Sequence, residues 1–148
     1  MEIILRPIEM QDAAEVARLS GQFGYPVTKE EMQMRLSEML TSSTDWLWVA
    51  ESNGQVVAWM QATAMARLES GRFLEITGFV VDETQRSRGV GGKMLALVTD
   101  FGKENGFERL VVRSNVMRNR AHGFYLKNGF EEKKQQKVFE KRIFHAGG

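Results

Sequence analysis

The stretch Arg86-Ser-Arg-Gly-Val-Gly-Gly-Lys-Met-Leu-Ala-Leu-Val-Thr-Asp-Phe101 decides the fold. It follows an apolar run and continues with helical spacing, so it predicts a strand, a glycine-rich turn and a helix in succession. Gly89 and Gly91 have no Cβ, so the backbone there can adopt positive φ and approach a ligand closely. Because the N-terminus of a helix attracts negative charge, this turn predicts a phosphate site, and a pyrophosphate is the natural ligand.

Two common nucleotide motifs do not fit this turn. In a P-loop, Ser87 would stand at the first glycine position and Met94 at the position of the hydroxyl that holds magnesium. A dinucleotide fold needs a third glycine where Met94 stands, and it needs the motif after the first strand rather than past the middle of the chain. What remains is Arg86-x-x-Gly89-x-Gly91, which resembles the coenzyme A signature of the GNAT superfamily of acyl-CoA N-acyltransferases.

A second segment is similar to another hallmark of the same family. The stretch Asn119-Arg-Ala-His-Gly-Phe-Tyr-Leu-Lys-Asn-Gly-Phe130 matches Asn-x-x-Ala-x-x-Phe-Tyr-x-x-x-Gly-Phe, with one residue fewer between Asn119 and Ala121. Its apolar residues share one helical face, and Asn128-Gly129 is a typical helix stop before an apolar strand. The resemblance extends from Glu75 to Phe144.

Composition limits the classes of protein to consider. The 148 residues predict a single domain, 1–148, and the net charge of +1 gives no broad basic surface for nucleic acid. The chain has no Cys and two His without an H-E-x-x-H pattern, so we expect no metal site. It shows neither a long apolar span nor a signal peptide, so we expect no membrane partner and a cytoplasmic location. The composition neither favours nor excludes a homodimer.

Periodicity and turn signals give the order of elements. Capping boxes at Asp12 with Glu15 and at Thr28 with Glu31 predict the first two helices, and Asn53-Gly54 predicts a hairpin. Further helices are expected from Gly91 to Asn105 and around Tyr125. Strands are expected at 2–6, 45–51, 55–66, 73–82, 109–115 and 137–144.

The resulting order, β-α-α-β-β-β-α-β-α-β, fits an α/β (α+β) fold. Together with the family resemblance, it implies a mixed, mostly antiparallel and splayed sheet of six to seven strands, with helices on both faces. Gly78 weakens the interior of the strand at 73–82. We therefore expect it to mark a bulge that opens the sheet.

Acylation of an amine requires a base, and Glu75 is the candidate. An alkyl amine with a pKa near 10.4 is mostly protonated at pH 7, which costs roughly 4–5 kcal/mol to reverse. Glu75 lies among apolar residues of the strand before the glycine turn, where partial desolvation would strengthen it as a proton acceptor. Its distance from Gly89 also resembles that of the catalytic Glu in the histone-acetylating branch of the superfamily. The alternative is that Glu75 faces solvent from an edge strand.

The family resemblance implies that Tyr125 is the acid. A phenol is protonated at pH 7 and can donate to a departing thiolate. The alternative is an aromatic core residue with its hydroxyl at the rim. Gln22 and Tyr25, between the first two helices, are expected to contact the acceptor. The residues expected to bind coenzyme A are Phe79, Val80, Val81, Arg86, Arg88, Gly89, Val90, Gly91, Gly92, Lys93 and Asn119.

These observations predict an acetyl-CoA-dependent N-acetyltransferase. Its acceptor would be a primary amine of a small molecule or peptide, attacking directly in a ternary complex, because no Cys is present to form an acyl-enzyme. The alternative is a non-catalytic acetyl-CoA-binding sensor or interaction module of the same fold. The presence of both Glu75 and Tyr125 favours the enzyme.

Overall fold

The structure, a computed structural model, describes residues 2–85, 88–114 and 116–144. It divides into two compact units, Met1–Arg113 and Ser114–Gly148. The strands of the first unit are β1 (Ile3–Pro7), β2 (Asp45–Ser52), β3 (Gln55–Arg67), β4 (Gly71–Val81) and β5 (Leu110–Val112). Its helices are α1 (Ala13–Gln22), α2 (Lys29–Met39) and α3 (Val90–Glu104), and the second unit contains α4 (Asn119–Lys127).

The strands form one sheet in the order β1-β2-β3-β4-β5. The pairs from β1 to β4 are antiparallel, and β5 lies parallel to β4. A parallel pair needs a crossover connection, and α3 lies in the one between β4 and β5. This arrangement confirms the predicted mixed, mostly antiparallel sheet.

Helices cover both faces of the sheet. On β2, Leu47 and Val49 pack in the core cluster with residues of α1 and α2. The alternate residues Trp46 and Trp48 contact Phe101 of α3, with ring centroids 4.8 and 5.1 Å apart. We call the side of the sheet that carries Leu47 and Val49 the α1/α2 face, and the side that carries Trp46 and Trp48 the α3 face. Successive strand residues point to opposite faces, so one strand serves both helix layers.

Several turns and helix ends predicted from the sequence are present in the structure. Asn53 and Gly54 have φ values of 52° and 76°, as a tight hairpin between β2 and β3 requires. Thr28 and Glu31 form the expected capping box, in which the Glu31 amide donates to Thr28 Oγ1 at 3.1 Å. Gly106 ends α3 with a φ of 78°.

The predicted capping box of Asp12 with Glu15 is wrong. Asp12 instead accepts from the Glu9 amide at 2.8 Å, one turn earlier, and forms a salt bridge with Arg6 at 2.8 Å. Glu15 pairs with Arg18 at 2.9 Å. A guanidinium and an amide together stabilise a buried carboxylate more than an amide alone, and Arg6, near the end of β1, reaches Asp12.

The sheet has five strands in the described chain, not six to seven, because residues 137–144 form no strand. In this segment the apolar residues stand in adjacent pairs, Val138 with Phe139 and Ile143 with Phe144, separated by charged residues. Adjacent side chains point to opposite faces of a strand, so neither face would be consistently apolar. The strand predicted at 109–115 is also shorter, since β5 holds only Leu110–Val112.

Among the helices that the structure describes, none combines the length and the apolar composition that a bilayer span requires.

Candidate active site

Strand β4 contains a bulge at Thr77. Its neighbour β3 pairs Gln61 with Gly78 and the following residue with Ile76, so Thr77 is an extra residue on β4. Gly78 is needed beside it, because a Cβ at this position would lie 2.6 Å from a ring carbon of Trp59. The prediction that Gly78 marks a bulge is confirmed.

The sheet opens between β4 and β5 just beyond this bulge. Parallel pairs join β5 only to Leu74, Glu75 and Ile76. Beyond Thr77, β4 pairs with β3 on one edge, and no strand of the described residues pairs with its other edge. An extended ligand could therefore add along the opposite edge of β4, near Val80 and Val81, in the way that a peptide adds to a sheet.

The side chains of this part of β4 are largely committed to packing. Val80 is buried in the core cluster of the α1/α2 face, and Phe79 and Val81 are half-buried. The predicted contacts of these three residues with coenzyme A would thus be made mainly by their backbone.

The glycine turn lies at the N-terminus of α3. Gly89 is the N-cap with a φ of 83°, and no heavy atom lies within 4 Å of the position that its Cβ would occupy. Lys93 N donates to Gly89 O at 3.1 Å as the first turn of the helix closes. The amides of Val90, Gly91 and Gly92 precede that bond and have no intrahelical acceptor. Open space and directed N–H groups suit a pyrophosphate.

The turn carries three basic residues, Arg86, Arg88 and Lys93. Arg88 N donates to Gln85 O at 3.3 Å, so this amide already takes part in the turn. The side chains of Arg88 and Lys93 are exposed. Arg86 lies outside the described residues.

Glu75 lies on an inner strand and is 8% exposed, so the alternative of a solvent-facing residue on an edge strand is wrong. Its Oε1 accepts a hydrogen bond from Arg113 Nε at 3.2 Å. Arg113 follows β5, two residues after Val111, the register partner of Glu75. The ion pair offsets the hydration that the carboxylate loses on burial.

A row of polar side chains continues from Glu75 across the α1/α2 face. Thr63 of β3 is the cross-strand partner of Glu75, and Asp45 of β2 is the partner of Thr63. Thr63 Oγ1 donates to Asp45 Oδ1 at 2.7 Å, and Gln61 Nε2 donates to the same oxygen at 3.0 Å. Thr63 Oγ1 also lies 2.8 Å from Thr77 Oγ1. We call Asp45, Thr63 and Thr77 the polar row.

Asp45 is held in its ionised form. Burial raises the pKa of its carboxyl, but hydrogen bonds from Thr63, Ser42, Gln61 and Thr44 outweigh that effect, so the pKa lies below its usual value. The carboxylate is thus an acceptor only, throughout the neutral pH range.

Gln22 lies beside the short turn that precedes the glycine turn. Its Oε1 accepts from the Glu83 amide at 3.2 Å, and Glu83 belongs to the short 3-10 turn Glu83–Gln85 that leads to the glycines. Tyr25 is 62% exposed, and its ring centroid lies 6.2 Å from that of Phe23. Gln22 therefore joins the end of α1 to the turn Glu83–Gln85, while Tyr25 presents its ring to solvent.

In the second unit, Asn119 is the first residue of α4 and Tyr125 lies near the end of the helix. The Tyr125 ring packs between Phe124 and Phe130, each with its centroid 5.5 Å away. Desolvation by burial raises the pKa of Tyr125 above its usual value and outweighs the opposite effect of the Arg118 charge. The phenol is therefore protonated at neutral pH.

The sequence model of the acetyltransferase (GNAT) family matches residues 13–130, a range that includes both sequence motifs and strand β4. The chain is a member of the GNAT acetyltransferase family. Acetyl-CoA is accordingly the co-substrate of this GNAT protein, and the open turn at Gly89 fits its pyrophosphate. Across the described ranges, no group of three or more His, Cys, Asp and Glu side chains could hold a metal ion.

Curated relatives of this GNAT protein carry acetyltransferase names. The uncharacterized N-acetyltransferase YhfO of Bacillus subtilis is 23% identical over 133 residues, which cover 86% of this chain and 89% of the relative. The aminoalkylphosphonate N-acetyltransferase of Salmonella typhimurium is 28% identical over 85 residues, which cover 57% of this chain and 55% of the relative. The chain spans only 41% of N-acetyltransferase 8F1 and 39% of N-acetyltransferase 8B of Rattus norvegicus.

Solved structures agree on the fold. The aminoglycoside N-acetyltransferase AAC(6')-Iy in complex with CoA superposes with a TM-score of 0.85 at 17% identity, over 96% of each chain. At this identity the likeness extends to the GNAT fold alone.

The polar row and Arg113 were not predicted from the sequence. A signal was present, because Gln61 and Thr63 are polar at alternate positions of an otherwise apolar strand. Their partners on β2 and β4 depend on strand register and on the bulge, which the sequence does not specify.

Proposed function

We propose that this GNAT protein transfers the acetyl group of acetyl-CoA to a primary amine of a small molecule or peptide, by direct attack in a ternary complex. The observation that carries the proposal is the construction of β4. A buried carboxylate, a bulge and an open strand edge follow one another along this strand, and the glycine turn comes soon after it. The absence of Cys from the sequence agrees with direct transfer, since no thiol is available to form an acyl-enzyme.

The coenzyme is proposed to bind along β4 and the turn. The edge at Phe79, Val80 and Val81 would hold the pantetheine arm, with backbone N–H groups polarising the acetyl carbonyl. The amides of Gly89 to Gly92 would hold the pyrophosphate, supported by the open space at Gly89. Arg86, Arg88, Lys93 and Asn119 are proposed as side-chain contacts to the same molecule.

Glu75 is proposed as the base, acting directly or through water. It would take a proton from the amine nitrogen while that nitrogen bonds to the acetyl carbon and the carbon–sulfur bond breaks. Its position supports the role, because Glu75 is buried close to the bulge at Thr77 and Arg113 holds its carboxylate in place.

Tyr125 is proposed as the acid that protonates the departing sulfur. Because burial raises the pKa of the phenol, Tyr125 carries its proton at neutral pH and has one to donate. A thiol with a pKa of about 8.5 is a stronger acid than this phenol, so the proton transfer is uphill, and a proton from solvent would then restore the phenol as CoA leaves.

The acceptor is proposed to approach through the loop between α1 and α2. Tyr25 supplies an exposed ring there. Gln22 has its Oε1 engaged with Glu83, so its Nε2 would make the contact. The relative named for aminoalkylphosphonates suggests an amine on a small polar molecule.

A thiol-release assay tests the proposal. Purified protein with acetyl-CoA is presented with an aminoalkylphosphonate, an aminoglycoside, amino acids and N-terminal peptides, and free CoA is followed with a thiol reagent. We expect release that depends on one class of amine, with the acetylated amine confirmed by mass spectrometry. Binding of acetyl-CoA without release for any amine would contradict the enzyme and favour the non-catalytic sensor.

A further inference from the structure

The hydrogen bonds of the polar row run in one direction. Asp45 is ionised and carries no hydrogen, so it can only accept. Thr63 Oγ1 lies 2.7 Å from Asp45 Oδ1. At that separation the hydroxyl must point its hydrogen at the carboxylate, because two sets of lone pairs would otherwise face each other. The single hydrogen of Thr63 is therefore directed to Asp45.

Thr77 must then donate to Thr63. The two Oγ1 atoms are 2.8 Å apart, a typical distance for a hydroxyl–hydroxyl hydrogen bond, and the geometry alone allows either atom to be the donor. Because the hydrogen of Thr63 is already used, the hydrogen of Thr77 lies between the two threonines. Thr77 is exposed, and its oxygen offers only lone pairs to a bound molecule.

We propose that Thr77 Oγ1 accepts a hydrogen bond from the nitrogen of the acceptor amine and positions that nitrogen for attack, with Asp45 and Thr63 fixing the direction of the hydroxyl. The inference rests on the proposed function and adds a positioning residue to it. Its location supports the role, since Thr77 is the extra residue of the bulge and Thr63 joins it to the cross-strand position of Glu75.

The arrangement selects for primary amines. A neutral primary amine has two N–H groups and one lone pair. One N–H can donate to Thr77 and the other to Glu75, which leaves the lone pair for the acetyl carbon. A secondary amine has a single N–H and cannot serve both oxygens. Thr77 thus contributes to binding of a primary amine and little to binding of its N-methyl derivative.

The test compares kcat/KM for two probe amines, 2-aminoethylphosphonate and its N-methyl derivative, at saturating acetyl-CoA. In Thr77→Val, which keeps the shape and removes the oxygen, kcat/KM for the primary amine should fall by about three- to tenfold, as the loss of one neutral hydrogen bond implies. The kcat/KM for the N-methyl derivative should change little, so the ratio of kcat/KM for the primary amine to that for the N-methyl derivative should fall. Thr77→Ser keeps the oxygen and should restore most of the preference.

Controls separate positioning from folding. Thr99→Val removes a hydroxyl from α3, where it donates to Leu95 O at 2.7 Å, and should leave the ratio of the two probes unchanged. The KM for acetyl-CoA and the melting temperature of each variant show whether β4 has been disturbed. A Thr77→Val enzyme with the wild-type ratio would overturn the proposal.

A neutron structure of the deuterated protein reads the hydroxyl directions without turnover. A Thr77 deuterium that points at Thr63 Oγ1 supports the inferred order, and one that points to solvent overturns it. If wild type acetylates no amine at all, the proposed function fails and the amine contact fails with it. If wild type acetylates amines and Thr77→Val has no effect, the proposed role of Thr77 fails while the acetyltransferase activity stands.

Discussion

Glu75 shows how one side chain can be both buried and polar on this sheet. It sits on an inner strand at 8% exposure, yet Arg113 donates to it and Thr63 faces it across the strand pair. An isolated carboxylate at such a depth would be costly, so its presence in the strand calls for partners of this kind. The same setting leaves the carboxylate next to the bulge, where the acceptor is proposed to bind.

Replacement of Glu75 by Gln should lower the rate most at low pH. The variant keeps shape and hydrogen bonding but takes up no proton, so only amine that arrives neutral can react. Its rate should rise about tenfold per pH unit toward the amine pKa near 10.4, while the wild-type rate rises earlier and levels off. The measurement is kcat/KM for the acceptor from pH 6 to pH 10. Glu108→Gln, at an exposed site, is the control, and superimposable profiles would remove Glu75 as the base.

Replacement of Tyr125 by Phe removes one hydroxyl and keeps the ring contacts with Phe124 and Phe130. Because burial raises the pKa of this phenol, wild type keeps the proton throughout the neutral range. We expect kcat to fall by about 100-fold with little change in the KM for acetyl-CoA. Steady-state kinetics at saturating amine measure this, and an unchanged kcat would assign Tyr125 to packing alone.

At the scale of elements, the turn before α3 is the feature most open to test. Gly89 has a φ of 83° and Gly106, beyond the other end of the helix, has a φ of 78°, and each has open space around its Cβ position. Leu at either site should cost about 1–2 kcal/mol of backbone strain. Only Gly89→Leu should block the coenzyme.

Thermal unfolding distinguishes these two variants. Acetyl-CoA at a hundredfold excess over its Kd stabilises the native state by about 2.7 kcal/mol, which corresponds to a rise in melting temperature on the order of 5–10 °C. We expect this rise in wild type and in Gly106→Leu and its loss in Gly89→Leu. A normal rise in Gly89→Leu would make the turn structural only.

Elements with short-range signals could be predicted from the sequence, and those that depend on distant partners could not. Asn53-Gly54, the capping box of Thr28 and the bulge at Gly78 each follow from the backbone needs of one or two residues. The predicted final strand at 137–144 needed a partner edge that no local pattern guarantees. The polar row likewise needed the register of three strands, so Asp45 and Thr77 carried no functional signal by themselves.

At the scale of the whole molecule, buried carboxylates make the stability of the fold depend on pH. Burial raises the pKa of Asp12, but the hydrogen bonds from Arg6 and from the Glu9 amide outweigh it, so the pKa is lowered. The pKa of Asp82 is lowered in the same way, because hydrogen bonds from Thr84 and Arg18 outweigh the effect of burial. A folded pKa below the unfolded one gives stability that is present above the unfolded value and is lost as pH falls through the folded value.

The melting temperature should therefore drop as the pH falls below about 4, the pKa of an unfolded Asp. Asp12→Asn isolates one contribution, since it removes the ion pair with Arg6. The variant should melt well below wild type at pH 7, and the difference should shrink as the pH falls through the lowered pKa of folded Asp12. Calorimetry at several pH values measures this, and a difference independent of pH would show that charge is not the cause.

The indole of Trp59, pressed against Gly78, gives the protein an internal optical probe. Trp46 and Trp48 lie on the α3 face beside Phe101, so replacing both with Phe leaves Trp59 as the sole tryptophan emitter. Its Nε1 is buried and has no hydrogen-bond partner in the described part of the chain, which should give emission at short wavelength. Acetyl-CoA settling along the adjacent strand should change that fluorescence in proportion to occupancy, and the same titration of a Gly89→Leu version should stay flat.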